Sequence, residues 1–220
     1  MSVDVRAGEQ RIASVGPRLH VTDRKRGSLF EVVGLAAVVF SVIYFVSDLI
    51  ELAQGGFSTP QLVLTYAGEA AIPLFVIGLY AAQRPQIGRL GLVGAVAYAY
   101  AFVFFTGTVS FALADHIPNW DTLVNRMDPW VTIHGALMVV AGLGFGWAVI
   151  RARVLPRWTG VALMAGVVLV AASSGLPEGA QTAAAGVRDA AFVGMGGSVW
   201  VALRERHALH RSGPGRGNGA

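Results

Sequence analysis

Apolar and polar residues are segregated into long blocks along this chain. Six apolar runs cover residues 29–52, 61–82, 87–114, 131–150, 158–174 and 183–203, with short polar connections between them. Most reach the ~20 residues that a helix needs to cross ~30 Å of hydrocarbon at ~1.5 Å per residue. A soluble bundle helix of this length would carry a polar stripe, and these runs mostly lack one. The pattern predicts an all-α polytopic membrane protein with six transmembrane helices. Residues 1–28 form a polar tail, 29–204 the membrane domain and 205–220 a disordered tail rich in glycine. The start shows no short apolar run with a small-residue cleavage site, so the first span is expected to stay in place.

Charge placement sets the expected orientation. All but Arg126 and Arg188 of the 17 Lys and Arg lie in the two tails, in the connections after the second and fourth runs or, for Arg89, at the very start of the third run. The positive-inside rule then puts both termini in the cytoplasm and agrees with an even number of spans in the plasma membrane. It also explains the net charge of +4 without nucleic acid as a partner. The chain has no cysteine, which excludes disulfides, thiolate metal sites and a cysteine nucleophile. No metal-spaced cluster, phosphate loop or dinucleotide fingerprint occurs, so no metal or cofactor is expected. The glycines at 142, 144 and 146 and at 194, 196 and 197 read as small-residue faces for close helix packing, with a homo-oligomer as one use. A faint repeat relates the hairpin around 78–89 to that around 146–157.

Polar groups at membrane depth are the candidate chemistry. Glu69 lies eight residues into the second run, about 12 Å down at ~1.5 Å per residue. A carboxyl there costs at least ~2.5 kcal/mol unless paired, lining a cavity or functional. Pro73, four residues on, cannot donate to the Glu69 carbonyl, so a kink is expected beside the acid. Asp48 and Glu51 share a helical face with Tyr44 near the outer end of the first run, where water could solvate them. Arg188 and Asp189 enter the last run as neighbours about 100° apart, so each is expected to find a partner elsewhere. His134 stands one turn into the fourth run, a position that suits an interhelical hydrogen bond. In the third run Tyr98, Phe102 and Phe105 share one face and Tyr100, Phe104 and Phe111 another. One face should meet lipid and the other the bundle. Residues 115–130, framed by Trp120 and Trp130, read either as an interfacial loop with an Asp/Asn-capped helix start or as a lid over a site in the outer half.

Two chemistries fit this set. A water-poor carboxyl favours its neutral form and can donate a proton, and aromatic rings beside it can stabilise a travelling positive charge. The buried charges could equally serve as a proton relay in a small-molecule transporter. Satisfied pairs and glycine faces alone would describe a structural membrane subunit.

The size, the six runs, the cysteine-free Ala/Gly/Val/Arg-rich character and the phrase Arg151-Ala-Arg-Val-Leu-Pro-Arg-Trp-Thr-Gly160 resemble small actinobacterial membrane proteins. Some similar proteins are integral-membrane terpene cyclases. A more distant likeness is to the fungal meroterpenoid cyclases, which have seven spans where this chain shows six, and in which carboxylates on two helices carry the protonation. The resemblance implies acid-initiated cyclisation of a prenylated or epoxidised isoprenoid drawn from the membrane lipids. Glu69 and Asp189 would be the acids, with His134 and Asp48 orienting them or accepting a proton. Tyr44, Tyr66, Tyr98, Phe102, Phe105 and Arg188 would shape the substrate pocket.

Overall fold

In the computed structural model the backbone is described for residues 19–211 and side chains for 27–204; residues 1–18 and 212–220, including the glycine-rich end, lie outside the described residues. Each predicted run forms a helix. These are α1 (Leu19–Gln54), α2 (Thr59–Ala82), α3 (Gly88–Ala114), α5 (Trp130–Ala152), α6 (Arg157–Ala172) and α7 (Glu178–Arg211). A seventh, α4 (Trp120–Met127), lies in the connection expected to be loop or lid. No strand occurs among the described residues. Residues 19–28 of the predicted polar tail belong to α1, and residues 205–211 of the predicted disordered tail continue α7. Polar helices extend past an apolar stretch because backbone hydrogen bonding continues until a breaker stops it, and the first breaker after Arg211 is Gly213-Pro214.

Among the described residues, four segments are long and apolar enough to cross a membrane: Gly27–Gln54, Thr59–Ala82, Gly88–Ala114 and Trp130–Ala152. α6 is apolar but has only 16 residues, and α7 carries Arg188 and Asp189 within its length. These are features of an α-helical membrane protein. Large apolar side chains such as Leu74, Val93 and Val140 point away from the bundle on three different helices, as a lipid-facing surface requires.

The six long helices close into a ring. Each packs on two neighbours, in the order α1, α2, α3, α5, α6, α7 and back to α1, and α4 lies against α5. Small residues make the closest crossings possible. A Cβ on Gly196 would stand 2.5 Å from the Gly34 carbonyl oxygen, and one on Gly34 would stand 2.7 Å from that of Gly196, at the α1–α7 seam that closes the ring. Gly146 and Gly160 meet in the same reciprocal way between α5 and α6. The glycine faces noted in the sequence are thus largely occupied within the chain, with Gly197 facing open space and a Cβ on Gly144 meeting only the Leu90 side chain at 3.9 Å. Gly78 meets Val33 of the preceding helix, whereas Gly146 meets the following one, so the glycines of the faint repeat do different jobs.

One half of the ring is filled. Phe75, Tyr98, Phe145, Phe192, Leu79 and Met195 are fully buried there. Phe75 and Tyr98 reach Phe192 with ring centroids 5.3 and 5.8 Å apart, an edge-on and a tilted contact of the kind that aromatic quadrupoles favour. The other half, toward the 55–58, 115–130 and 173–178 connections, is hollow.

Candidate functional site

The hollow half is a cavity of about 1130 Å³ touched by all seven helices. It slightly exceeds the usual ~300–1,000 Å³ range of ligand pockets. Its floor is aromatic and charged, and one wall is polar.

The polar wall is the α1–α2 seam. Tyr44, Asp48 and Glu51 rise along α1 at spacings of four and three, and Gln61, Thr65 and Glu69 descend along α2 at spacings of four, which stack side chains on one helical face. Gly68 lets the helices meet, because a Cβ there would lie 2.8 Å from the Tyr44 Cβ. The Tyr44 hydroxyl donates to Glu69 Oε1 at 2.9 Å. Further up, the Gln61 amide donates to Glu51 Oε2 at 3.1 Å and to Thr65 Oγ1 at 3.0 Å. Thr65 donates to Ser47 Oγ at 3.1 Å, and Ser47 to the Tyr44 carbonyl at 2.6 Å. The seam is therefore cross-linked from rim to floor.

Several atoms on it remain unmatched. Glu69 Oε2 and Gln61 Oε1 are buried without a hydrogen-bond partner among the described residues. Buried polar atoms are nearly always paired, so these two are exceptions on residues that border the cavity.

α7 supplies the opposing charge. Arg188 and Asp189 are both buried, and Arg188 Nε donates to Asp189 Oδ1 at 3.1 Å. This corrects the expectation that the two seek partners elsewhere. The Cα–Cβ bonds diverge, but the flexible arginine stem folds back far enough for Nε to reach the next residue. Its guanidinium also lies 4.8 Å from the Tyr44 ring centroid and 5.8 Å from that of Phe102, a double cation–π contact. Arg188 lines the cavity and Asp189 stands behind it. The free Nη2 of Arg188 and Oδ2 of Asp189 are further buried orphans.

The other expected site residues divide. Phe102 and Phe105 line the floor, and Tyr98 packs beneath Phe102 at 5.1 Å, its own hydroxyl unpartnered. That face of α3 is buried, whereas Tyr100 and Phe111 are exposed, which decides the orientation the sequence left open. Tyr66 is 44% exposed on the outside of α2 and does not reach the cavity, since one residue beyond Thr65 turns it ~100° away. His134 does not line the cavity either. It stacks on Phe104 at 3.7 Å, and its Nδ1 bonds the Trp130 carbonyl within its own helix at 2.8 Å, in place of the interhelical partner expected. α2 continues as helix through Pro73, so the ring is not broken there.

α4 covers part of the mouth, in line with the lid-like alternative. Asn119 caps it by accepting from the Thr122 amide at 2.9 Å. Leu123 is buried beneath it, Arg126 pairs with Asp115, and the Phe57 amide donates to the Pro118 carbonyl at 2.8 Å. Asp128 accepts from the Thr132 amide and hydroxyl at 3.3 and 2.8 Å, but Pro129 stands at the N-cap of α5, where an Asp or Asn cap was expected.

No known protein family, curated protein or solved structure matches the chain. Its chemistry must therefore be read from the cavity alone. The seam residues Glu51, Gln61, Thr65 and Ser47 were not singled out as site residues from the sequence. The 61/65/69 spacing on α2, set against 44/48/51 on α1, was the available signal.

Proposed function

We propose that this chain is a membrane-embedded cyclase that initiates cyclisation of a prenylated or epoxidised isoprenoid by protonation. The observation that carries the reading is the Glu69 carboxyl. One oxygen is held by Tyr44 and the other is buried and unpartnered, on a residue that lines an aromatic-floored cavity. In this scheme neutral Glu69 gives its proton to an alkene carbon or epoxide oxygen. The O–H bond breaks as the new C–H or O–H bond forms, and a carbocation develops. Remaining double bonds of the substrate attack it, with Phe102 and Phe105 facing the migrating charge. The Tyr44 hydroxyl stabilises the carboxylate left on Glu69, and Asp189 offsets the charge of Arg188. Loss of a C–H proton to Asp48 closes the sequence, so the product is an isomer of the substrate. Asp48 then gives its proton up to solvent at the mouth, and solvent returns one to Glu69.

The orientation belongs to the same proposal. Six spans, cytoplasmic termini and a plasma-membrane location place the cavity mouth outside, with an apolar substrate entering from the bilayer. The cysteine-free chain makes this directly testable. A cysteine at exposed Asn125 should react with a membrane-impermeant maleimide on intact cells, and one at exposed Arg153 only after permeabilisation. Reversed or equal labelling would refute the orientation.

The activity itself is tested by expressing the chain in a host supplied with farnesylated or epoxidised prenyl acceptors. Mass spectrometry and NMR of the lipid extract should find a new ring-containing isomer of unchanged mass. Unaltered substrate across the panel would remove the cyclase reading.

A further inference from the structure

The end of the ring opposite the large cavity has a hollow of its own. A second cavity of about 270 Å³ lies where the start of α3 meets the end of α5, and Arg89, Leu90, Ala148 and Arg151 line it. Positive charge is concentrated there without compensation. Residues 83–89 and 151–157 hold five arginines and no acid. All five are exposed, and none of their side chains makes a hydrogen bond or ion pair among the described residues. The two that line the cavity are placed differently. Arg151 stands in the last turn of α5, where the helix carbonyls favour a cation. Arg89 stands in the first turn of α3, which holds no acid and whose unpaired amides already carry positive charge. Its own helix therefore repels it, and an anion between the two guanidiniums relieves that repulsion.

The surroundings fit a lipid better than a soluble anion. Arg89, Val93, Val96 and Tyr100 follow the four- and three-residue spacing of one face of α3, and all four are exposed. Trp147 and Val140, four and eleven residues before Arg151, form the matching exposed stripe on α5. Each arginine thus heads an apolar stripe that faces out of the bundle. Gly144, on the α5 stripe, adds no side chain to it, and a Cβ there would meet only Leu90 at 3.9 Å. The small cavity falls below the ~300–1,000 Å³ that encloses a whole ligand, so it suits a headgroup whose chains lie outside. Two guanidinium forks can each pair with oxygens of one phosphate ester, and basic pockets between membrane helices hold anionic headgroups in this way. A choline headgroup would instead bring a fixed cation among the arginines.

We infer that the α3–α5 seam binds an anionic phospholipid, its phosphodiester between Arg89 and Arg151 and its acyl chains along Val93, Val96, Gly144 and Trp147. The inference goes beyond the cyclase reading and uses none of the residues of that scheme.

Native mass spectrometry provides the test. Delipidated protein in detergent would be titrated with phosphatidylglycerol or phosphatidylcholine of identical acyl chains, following the first lipid bound. Phosphatidylglycerol should bind at a concentration at least about tenfold lower, the margin expected of charge-assisted contacts in a sheltered site. Arg89→Gln with Arg151→Gln should remove most of that preference. Arg153→Gln with Arg157→Gln takes the same charge from the same end but outside the cavity. It should leave the preference within about twofold, because exposed charges away from the contact are screened by salt. Should a variant fold poorly, the comparison of the two lipids on unmodified protein still decides. Equal binding of both lipids would overturn the inference. Equal losses in the two double variants would also overturn it, since the general charge of that end would then suffice. Glycerol phosphate at millimolar concentration should fail to displace the bound lipid. Displacement would assign the cavity to a soluble phosphate and overturn the lipid site.

Discussion

Glu69→Gln is expected to reduce cyclisation by about 10²–10⁴-fold, the usual contribution of a positioned general acid. The amide keeps the shape of the side chain and an oxygen to accept the Tyr44 hydroxyl, so the seam between α1 and α2 is preserved. Stability should move by no more than about 1 kcal/mol, because one hydrogen bond is remade and no cavity opens. What disappears is the acidic proton that the proposed mechanism requires of Glu69. Tyr44→Phe separates the two roles. It leaves the acid in place but removes the donor that holds the resulting carboxylate, and it should cost a smaller factor than Glu69→Gln. Rates would be measured on purified protein with the isomer quantified by mass spectrometry, alongside circular dichroism and elution volume to verify folding. Wild-type turnover in Glu69→Gln would refute the acid assignment.

Breaking the pair on α7 should have the largest effect on stability. Arg188→Met leaves Asp189 buried behind the cavity with neither of its oxygens paired. Removing one partner of a buried ion pair typically costs about 3–5 kcal/mol, since the remaining charge has lost its compensation in a low-dielectric setting. Arg188→Met with Asp189→Leu should recover most of that loss, because an apolar pair of similar volume needs no compensation. The comparison requires reversible unfolding of detergent-solubilised protein for the wild type, both single variants and the double. If Arg188→Met alone unfolds like the wild type, the pair is not holding α7 in place. A double variant as unstable as the single one would show instead that the loss came from packing on Tyr44 and Phe102.

The elements were largely legible before the fold was known, for physical reasons that individual stretches make clear. A run such as 87–114 is longer than a buried strand and lacks the polar stripe of a surface helix, so only one conformation satisfies its backbone in an apolar medium. The α3 aromatics divided correctly into two faces because helical periodicity is local. α4 escaped notice because eight residues in a polar connection give too short a pattern, although the Asn119 cap, Asp121 in the first turn and buried Leu123 mark it in retrospect. The neighbouring pair Arg188–Asp189 was misjudged because backbone geometry fixes only where a side chain starts. His134 and Tyr66 entered the site only as what the resemblance implied, and their helices turn them away from it.

The sequence by itself determined an all-helical chain with membrane-length apolar segments, the position of Glu69 within one of them, and which face of α3 could be buried together. All of these follow from residue type and a period of 3.6, which act within one helix. The tertiary structure alone decided that the helices close into a ring, with α1 meeting α7 through Gly34 and Gly196. It also decided that one half is packed by Phe75, Tyr98 and Phe192 while the other stays hollow, and that Tyr44 and Glu69 meet at the floor of that hollow. Those outcomes depend on which helices become neighbours, a property of close packing between distant segments that no local pattern encodes.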